Sequence, residues 1–213
     1  PKDAYSSEVP VPDYRRALDG EVKGIRVGAI TELIHGEIVD EEVRDAVIKA
    51  GAVLGELGAT VEEVSLPLTI HGGTITGTLI NVESASIYRD WIRDRLDDFG
   101  HTNQIGLLTG SVLPAQVYYK AQKLRALIRQ EVLQVLNDVD VLVQPTSAGP
   151  AEVMTPERIV ESKEQAKRAL AAGSFRSPYS LAGAPALSML CGFTSAGDGA
   201  LPVACLLFTS VAF

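Results

Sequence analysis

Cysteine is scarce in this sequence: Cys191 and Cys205 are the two among 213 residues. That is too few for a disulfide framework and suits a reducing compartment, so a cytoplasmic location is expected. Aromatic residues amount to 6%, with a single tryptophan, Trp91. Basic residues are outnumbered, 19 Lys and Arg against 27 Asp and Glu, for a formal net charge of -8. With no basic run, neither a nucleic acid nor an anionic membrane is an expected partner. No apolar stretch reaches the roughly 18 residues that a spanning helix needs. The longest, residues 201–213, is short and contains Pro202. The start shows no basic n-region or apolar h-region of a secretory leader.

Catalytic motifs are equally sparse. Gly72-Gly-Thr-Ile-Thr-Gly77-Thr78 has the glycine spacing of a phosphate loop, but Leu79 follows and the phosphate-binding lysine is missing. The segment reads instead as a flexible Gly/Thr connection. His35, His71 and His101 share no i, i+4 spacing, so no metal centre is expected and each is assigned a surface or structural role. His101 follows Asp97 and Asp98 in what reads as a solvated loop. The cysteines lie in apolar stretches without a basic neighbour to favour the thiolate, and read as small hydrophobes. No Gly-x-Ser-x-Gly elbow occurs, and no cofactor is implied.

What is present is an ordinary globular composition, 46% hydrophobic and 22% charged. Its length suits one α/β domain, 1–213, burying about 70% of its unfolded surface. Pro10 and Pro12 make residues 1–12 an extended leading segment, and Asp13 is placed to cap a short helix over 14–18. Residues 25–30 read as a strand. Asp40 caps a helix carrying Val43, Val47, Ala50, Leu54 and Leu57, which Gly58 stops. Residues 60–66 return as a strand ended by Pro67, so the first two strands are expected to be parallel. A helix is expected over 82–96, with Ile87, Trp91 and Ile92 on its apolar side. Another runs from Pro114 to about Asn137, with a stripe through Val117, Leu124, Leu127, Ile128 and Val135. Residues 139–143 form a buried strand, 156–172 a polar helix, and 186–191 and 201–208 two late strands.

Several stretches, in order, resemble the amidase signature family, the Ser-cisSer-Lys amidohydrolases. They are Asp13-Tyr-Arg-Arg-Ala-Leu18 with Lys23-Gly-Ile-Arg-Val-Gly28, then Val39-Asp-Glu-Glu-Val43, then Leu57-Gly-Ala-Thr-Val-Glu-Glu-Val-Ser-Leu-Pro67. Tyr118-Tyr-Lys-Ala-Gln-Lys-Leu-Arg125, Val139-Asp-Val-Leu-Val-Gln-Pro-Thr146 and Ser177-Pro-Tyr-Ser-Leu-Ala-Gly-Ala-Pro-Ala-Leu-Ser188 follow. The resemblance implies an α/β fold, a mixed β-sheet flanked by helices, matching the C-terminal half of that family's fold. It also implies a small-molecule amide substrate for the full-length parent.

The family's chemistry uses a lysine, a bridging serine on a cis peptide and a nucleophilic serine, with backbone N–H groups holding the oxyanion. That needs a Gly-Ser-Ser-Gly-Gly-Ser-like run with a lysine upstream, and this chain has neither. No catalytic residue is therefore assigned. The start at Pro1 and the stop inside an apolar run read as a fragment lying after the catalytic segment. Thr146, at the carboxyl end of a buried strand where α/β sheets place ligands, either caps a local turn or hydrogen-bonds a carboxamide. Tyr118 and Tyr119 either line a pocket or pack in the core. Residues 154–175 depart from the pattern of the family's tRNA-dependent amidotransferases, which favours a general amidase. A last strand without a covering helix is expected to expose apolar surface and favour self-association or a partner.

Overall fold

Residues 8–11, 13–17, 20–150, 172–195 and 201–209 are described by the structure, a computed structural model. Residues 1–7 and 12 of the expected leading segment lie outside them, as do Leu18 and residues 156–171 of the expected polar helix. Tyr14–Ala17 form one 3-10 turn, with the Arg15 N–H donating to the Asp13 carboxylate at 3.2 Å.

Five strands form one mixed sheet: β1 (Arg26–Ile30), β2 (Thr60–Val64), β3 (Val141–Pro145), β4 (Ala186–Phe193) and β5 (Pro202–Phe208). Their order is β2-β1-β3-β5-β4. β1 pairs in parallel with β2 and β3, and β5 pairs antiparallel with β3 and β4. The parallel pairing of β1 and β2 agrees with the strand–helix–strand reading. β3 begins two residues later than the apolar run suggested, because Arg26 holds Asp140 just ahead of it.

One helical turn, α1 (Thr31–Ile34), follows β1, and α2 (Glu41–Glu56) crosses one face of the sheet. The Asp40 carboxylate accepts the Glu42 N–H at 2.9 Å, the expected N-cap. Gly58, at φ 100°, ends the run. Val43 and Val47 are buried, whereas Leu57, expected on the apolar stripe, is 59% exposed because it already lies at the helix C-cap.

Helices α3 (Gly72–Ile87), α5 (His101–Val112), α6 (Ala115–Val135) and the short α7 (Ser177–Ala182) lie on the opposite side, with α4 (Arg89–Asp94) between α3 and α5. The main core packs here, joining Ile75 and Leu79 of α3, Ile128 and Val132 of α6 and Leu181 of α7 to Leu142, Leu206 and Phe208 of the sheet.

This layer corrects several expectations. The Gly/Thr segment is helical, since Ile75 and Leu79 supply an i, i+4 buried pair and its first glycines are packing positions. A Cβ on Gly72 would come within 2.8 Å of the Ser177 Cβ. The single helix expected over 82–96 breaks at Tyr88, leaving Ile87 75% and Trp91 47% exposed. Tyr88, Trp91 and Phe99 cluster instead, with ring centroids 5.5–6.2 Å apart. The solvated loop expected at His101 is instead the start of a helix over residues 101–112, in which Gly106 and Gly110 admit α3. A Cβ on Gly110 would collide with the Asn81 carbonyl oxygen. On α6 the buried stripe runs through Ala121, Ile128 and Val132, while Val117 and Leu127 are exposed.

The last strand is also corrected. β5 lies between β3 and β4, and its Val203, Cys205, Leu206 and Phe208 are buried. The exposed apolar strand is β4, with Leu187, Met189, Leu190 and Phe193 open.

Candidate functional site

β3 carries its apolar side chains into the sheet and delivers Pro145 and Thr146 at its carboxyl end. The Thr146 N–H donates to the Ala204 carbonyl at 3.0 Å, continuing the ladder to β5. The Thr146 hydroxyl lies 2.9 Å from the Ser188 hydroxyl of β4. Thr146 is half-buried and Ser188 exposed, so the two form an open hydroxyl pair at the sheet end. The turn-capping role considered for Thr146 gives way to this cross-strand bond. Ser188 was not singled out, because its adjacency depends on the antiparallel return of β4 and β5 across the chain.

One residue back, Gln144 is fully buried. Its Nε2 donates to the Phe175 carbonyl, and its Oε1 has no partner. Beyond Phe175, the Ser174 hydroxyl donates to the Ile70 carbonyl at 2.9 Å and accepts the Gly73 N–H at 3.2 Å. These bonds fix the start of α3 against the lead-in to α7. Arg125 and Arg129 of α6 donate to the Leu181 and Ala182 carbonyls, satisfying groups that the end of α7 leaves free. Gly183 then turns at φ 69°, in the left-handed region that suits glycine.

The tyrosines sit elsewhere. The Tyr118 hydroxyl donates to Glu83 of α3 at 3.0 Å and accepts from Gln122 at 2.8 Å, and its ring packs on the main core. Tyr119 is 63% exposed, with the Lys123 ammonium 4.7 Å from its ring centroid. Neither tyrosine hydrogen-bonds to Thr146, so the three residues do not form one bonded cluster.

Among the grooves lined by described residues are the following two. One, of about 430 Å3, lies where Val47, Gly51 and Gly55 of α2 face Ala29, Val61 and Val143 of the sheet. His35 stands at its mouth, 3.6 Å from Glu63. The other, of about 340 Å3, lies between α3 and α5. Neither is lined by Thr146, Tyr118 or Tyr119. All three histidines are exposed and separate, and no group of three His, Cys, Asp or Glu placed to hold a metal occurs among the described residues.

Electrostatics around the sheet are modest. At its opposite end, Arg26 holds the Asp140 carboxyl below the usual carboxylate range through side-chain and backbone hydrogen bonds. Glu131 of α6 is pushed up by burial, partly offset by the Leu68 N–H that it accepts. No base hydrogen-bonds to the Thr146 or Ser188 hydroxyl among the described residues. The pair can bind a carbonyl or amide, but nothing there activates it as a nucleophile.

The amidase family model matches residues 1–210. The chain belongs to the amidase family. The A subunit of a glutamyl-tRNA(Gln) amidotransferase from Geobacillus stearothermophilus is 36% identical over 227 aligned positions, covering 95% of this chain and 45% of that protein. A bacterial aryl acylamidase of the amidase signature family superposes with a TM-score of 0.75 at 20% identity, over 93% of this chain and 42% of the other. A further amidase crystal structure gives 0.72 at 25% identity, over 89% and 42%. This amidase-family chain therefore spans less than half the length of each of these three proteins. No helix among its described residues is long and apolar enough to cross a membrane.

Proposed function

We propose that this chain is the C-terminal part of an amidase, folding as one domain, that hydrolyses carboxamide C–N bonds by acyl transfer to a serine. The carrying observation is the family match over residues 1–210 by a chain covering about 45% of its relative's length. In this reading the serine–serine–lysine machinery comes from a segment upstream of Pro1, and the 213-residue chain alone is inactive. The reading assigns Thr146, with Ser188 beside it, to hydrogen-bond the substrate's carbonyl or amide, and Tyr118 and Tyr119 to the wall of the completed pocket. The substrate is a small amide and the compartment the cytoplasm.

The Geobacillus relative makes an amidotransferase a live subgroup beside the general amidase that residues 154–175 favour. That segment lies almost wholly outside the described residues. A second reading, a non-catalytic amidase-like binding module, is favoured by the absence of any Gly/Ser-rich run with a preceding lysine in residues 1–213. The exposed apolar β4 fits either case, since a companion segment or a second copy can cover it.

The test compares ammonia release from a panel of simple carboxamides by the complete reading frame and by the 213-residue chain. Activity confined to the longer protein is the expected result. Ammonia release by the short chain, persisting after contaminant controls, overturns the division of labour. A reading frame no longer than this chain moves the assignment to the binding module.

A further inference from the structure

The two cysteines, 14 positions apart in sequence, meet in the fold. Cys205 on β5 pairs in register with Met189 on β4, and Cys191 lies two residues further along the same strand. The ladder then slips: Leu190 opposes Ala204, but Gly192 opposes Val203, so two steps on β4 match one on β5. This bulge leaves Cys191 without an in-register partner on β5. Both thiols join the small cluster between α2 and the sheet, with Val47 and Val143 beside them.

The pair is asymmetric. Cys205 is buried and Cys191 half-buried. The neighbouring Cys205 side chain lowers the Cys191 thiol from its ordinary range, and the Cys191 side chain together with burial pushes Cys205 up. Cys191 also approaches the Val203 carbonyl at 3.5 Å. A half-buried sulfur beside a fully buried one is an arrangement in which peroxide oxidation of the more accessible thiol ends as a disulfide.

We propose that Cys191 and Cys205 form a peroxide-oxidisable thiol pair, in which Cys191 is attacked first and Cys205 resolves it to an intramolecular disulfide. The Cys191 thiolate attacks one peroxide oxygen, the O–O bond breaks, and hydroxide leaves to become water on taking a proton. The Cys205 sulfur then attacks the Cys191 sulfenic acid. The S–O bond breaks, and the departing hydroxide takes the Cys205 proton. Two thiols and one hydrogen peroxide give one disulfide and two waters, with two electrons passing to the peroxide. The bond ties edge strand β4 to β5. It does not depend on the amidase assignment.

The test is intact-mass analysis of the 213-residue chain after mild hydrogen peroxide and alkylation. The expected product is about 2 Da lighter than the reduced chain, takes no alkyl group, and returns to two alkylatable thiols with dithiothreitol. Cys205→Ser should accumulate a dimedone-trapped sulfenic acid at Cys191. Cys191→Ser should slow thiol oxidation by about tenfold and give no internal bond. The wild-type mass is decisive even if a variant fails to fold. Persistence of both thiols while methionine gains oxygen overturns the proposal, as does a disulfide found only between chains.

Discussion

The sheet has two edges, built on opposite principles. β2 is five residues long and carries Glu62 and Glu63, both exposed. Charged residues on a short edge strand keep it from pairing with another chain. β4 is eight residues long, has no charged residue, and leaves Leu187 64%, Met189 47%, Leu190 54% and Phe193 60% exposed. From residue 186 to 190 neither face of the strand is covered. The β2 edge is finished for water and the β4 edge is not.

The sharpest way to break the comparison lies across one rung of the ladder. Phe208 on β5 is 1% exposed and sits in register with Ala186, beside the Leu187–Leu207 pair. Phe208→Ala should cost about 3–5 kcal/mol, while Leu187→Ala should stay within about 0.5 kcal/mol. Urea unfolding of the 213-residue chain checks both. A Leu187→Ala cost approaching that of Phe208→Ala would mean that β4 is covered in solution.

A smaller effect tests whether the helical face is as closed as the β4 edge is open. Gly110→Ala puts a methyl group into the Asn81 carbonyl and should destabilise by about 1–3 kcal/mol. Gly77, on α3, has nothing within 4 Å of an added Cβ. Gly77→Ala should be neutral or stabilise by up to about 1 kcal/mol, because glycine is a poor helix former. Equal thermal shifts for the two variants would show that α3 and α5 do not pack this closely.

Association comes next. Lysine at both Leu187 and Met189 should lower dye binding to apolar surface and hold the chain monomeric in sedimentation at concentrations where the parent self-associates. The reverse change at β2, Glu62→Val with Glu63→Val, should promote association. A parent chain that stays monomeric and binds no dye would show that β4 does not act as an open apolar edge.

Much of the sheet was legible in the sequence. Asp40, Gly58 and Pro67 are local signals that act within a turn of the residues they punctuate, and the β1–α2–β2 unit follows from them. The failures share a physical cause, contacts between residues far apart in the chain. Gly72 and Gly73 look like a flexible stretch until Ser174 and Ser177 are set against them. Gly106 and Gly110 look like helix breakers until Asn81 fills the space they leave. Leu187 and Leu206 look equally buried as sequence, and strand order alone makes one an edge and the other a core residue. The place of Thr146 at the end of a buried strand was legible from Pro145, but its bond to Ser188 and the full burial of Gln144 were not. Cys191 and Cys205 look like separate small hydrophobes in the sequence because their neighbourhood depends on the pairing of β4 with β5.

The smallest effect separates two kinds of exposed carboxylate along the sheet. Those of β2 serve as edge charges, whereas Asp140 is held at 2.8–2.9 Å by the Arg26 guanidinium and backbone N–H between β1 and β3. Its carboxyl is held below the usual range by those hydrogen bonds, the side-chain bond most of all. A carboxyl whose folded pKa is depressed adds stability that is present above its unfolded pKa and is lost as pH falls through the folded value. Asp140→Asn should therefore lower the urea midpoint at about pH 7 and converge with the parent only as pH falls through the depressed Asp140 pKa. Both groups are exposed, so the difference should be small and shrink further in high salt. A deficit that holds constant from neutral to acid pH would assign the contribution to hydrogen-bond geometry instead of charge. Asp140 would then be a neutral fastener at the middle of the sheet, and β2 would remain the place among the described strands where carboxylate charge itself shapes an edge.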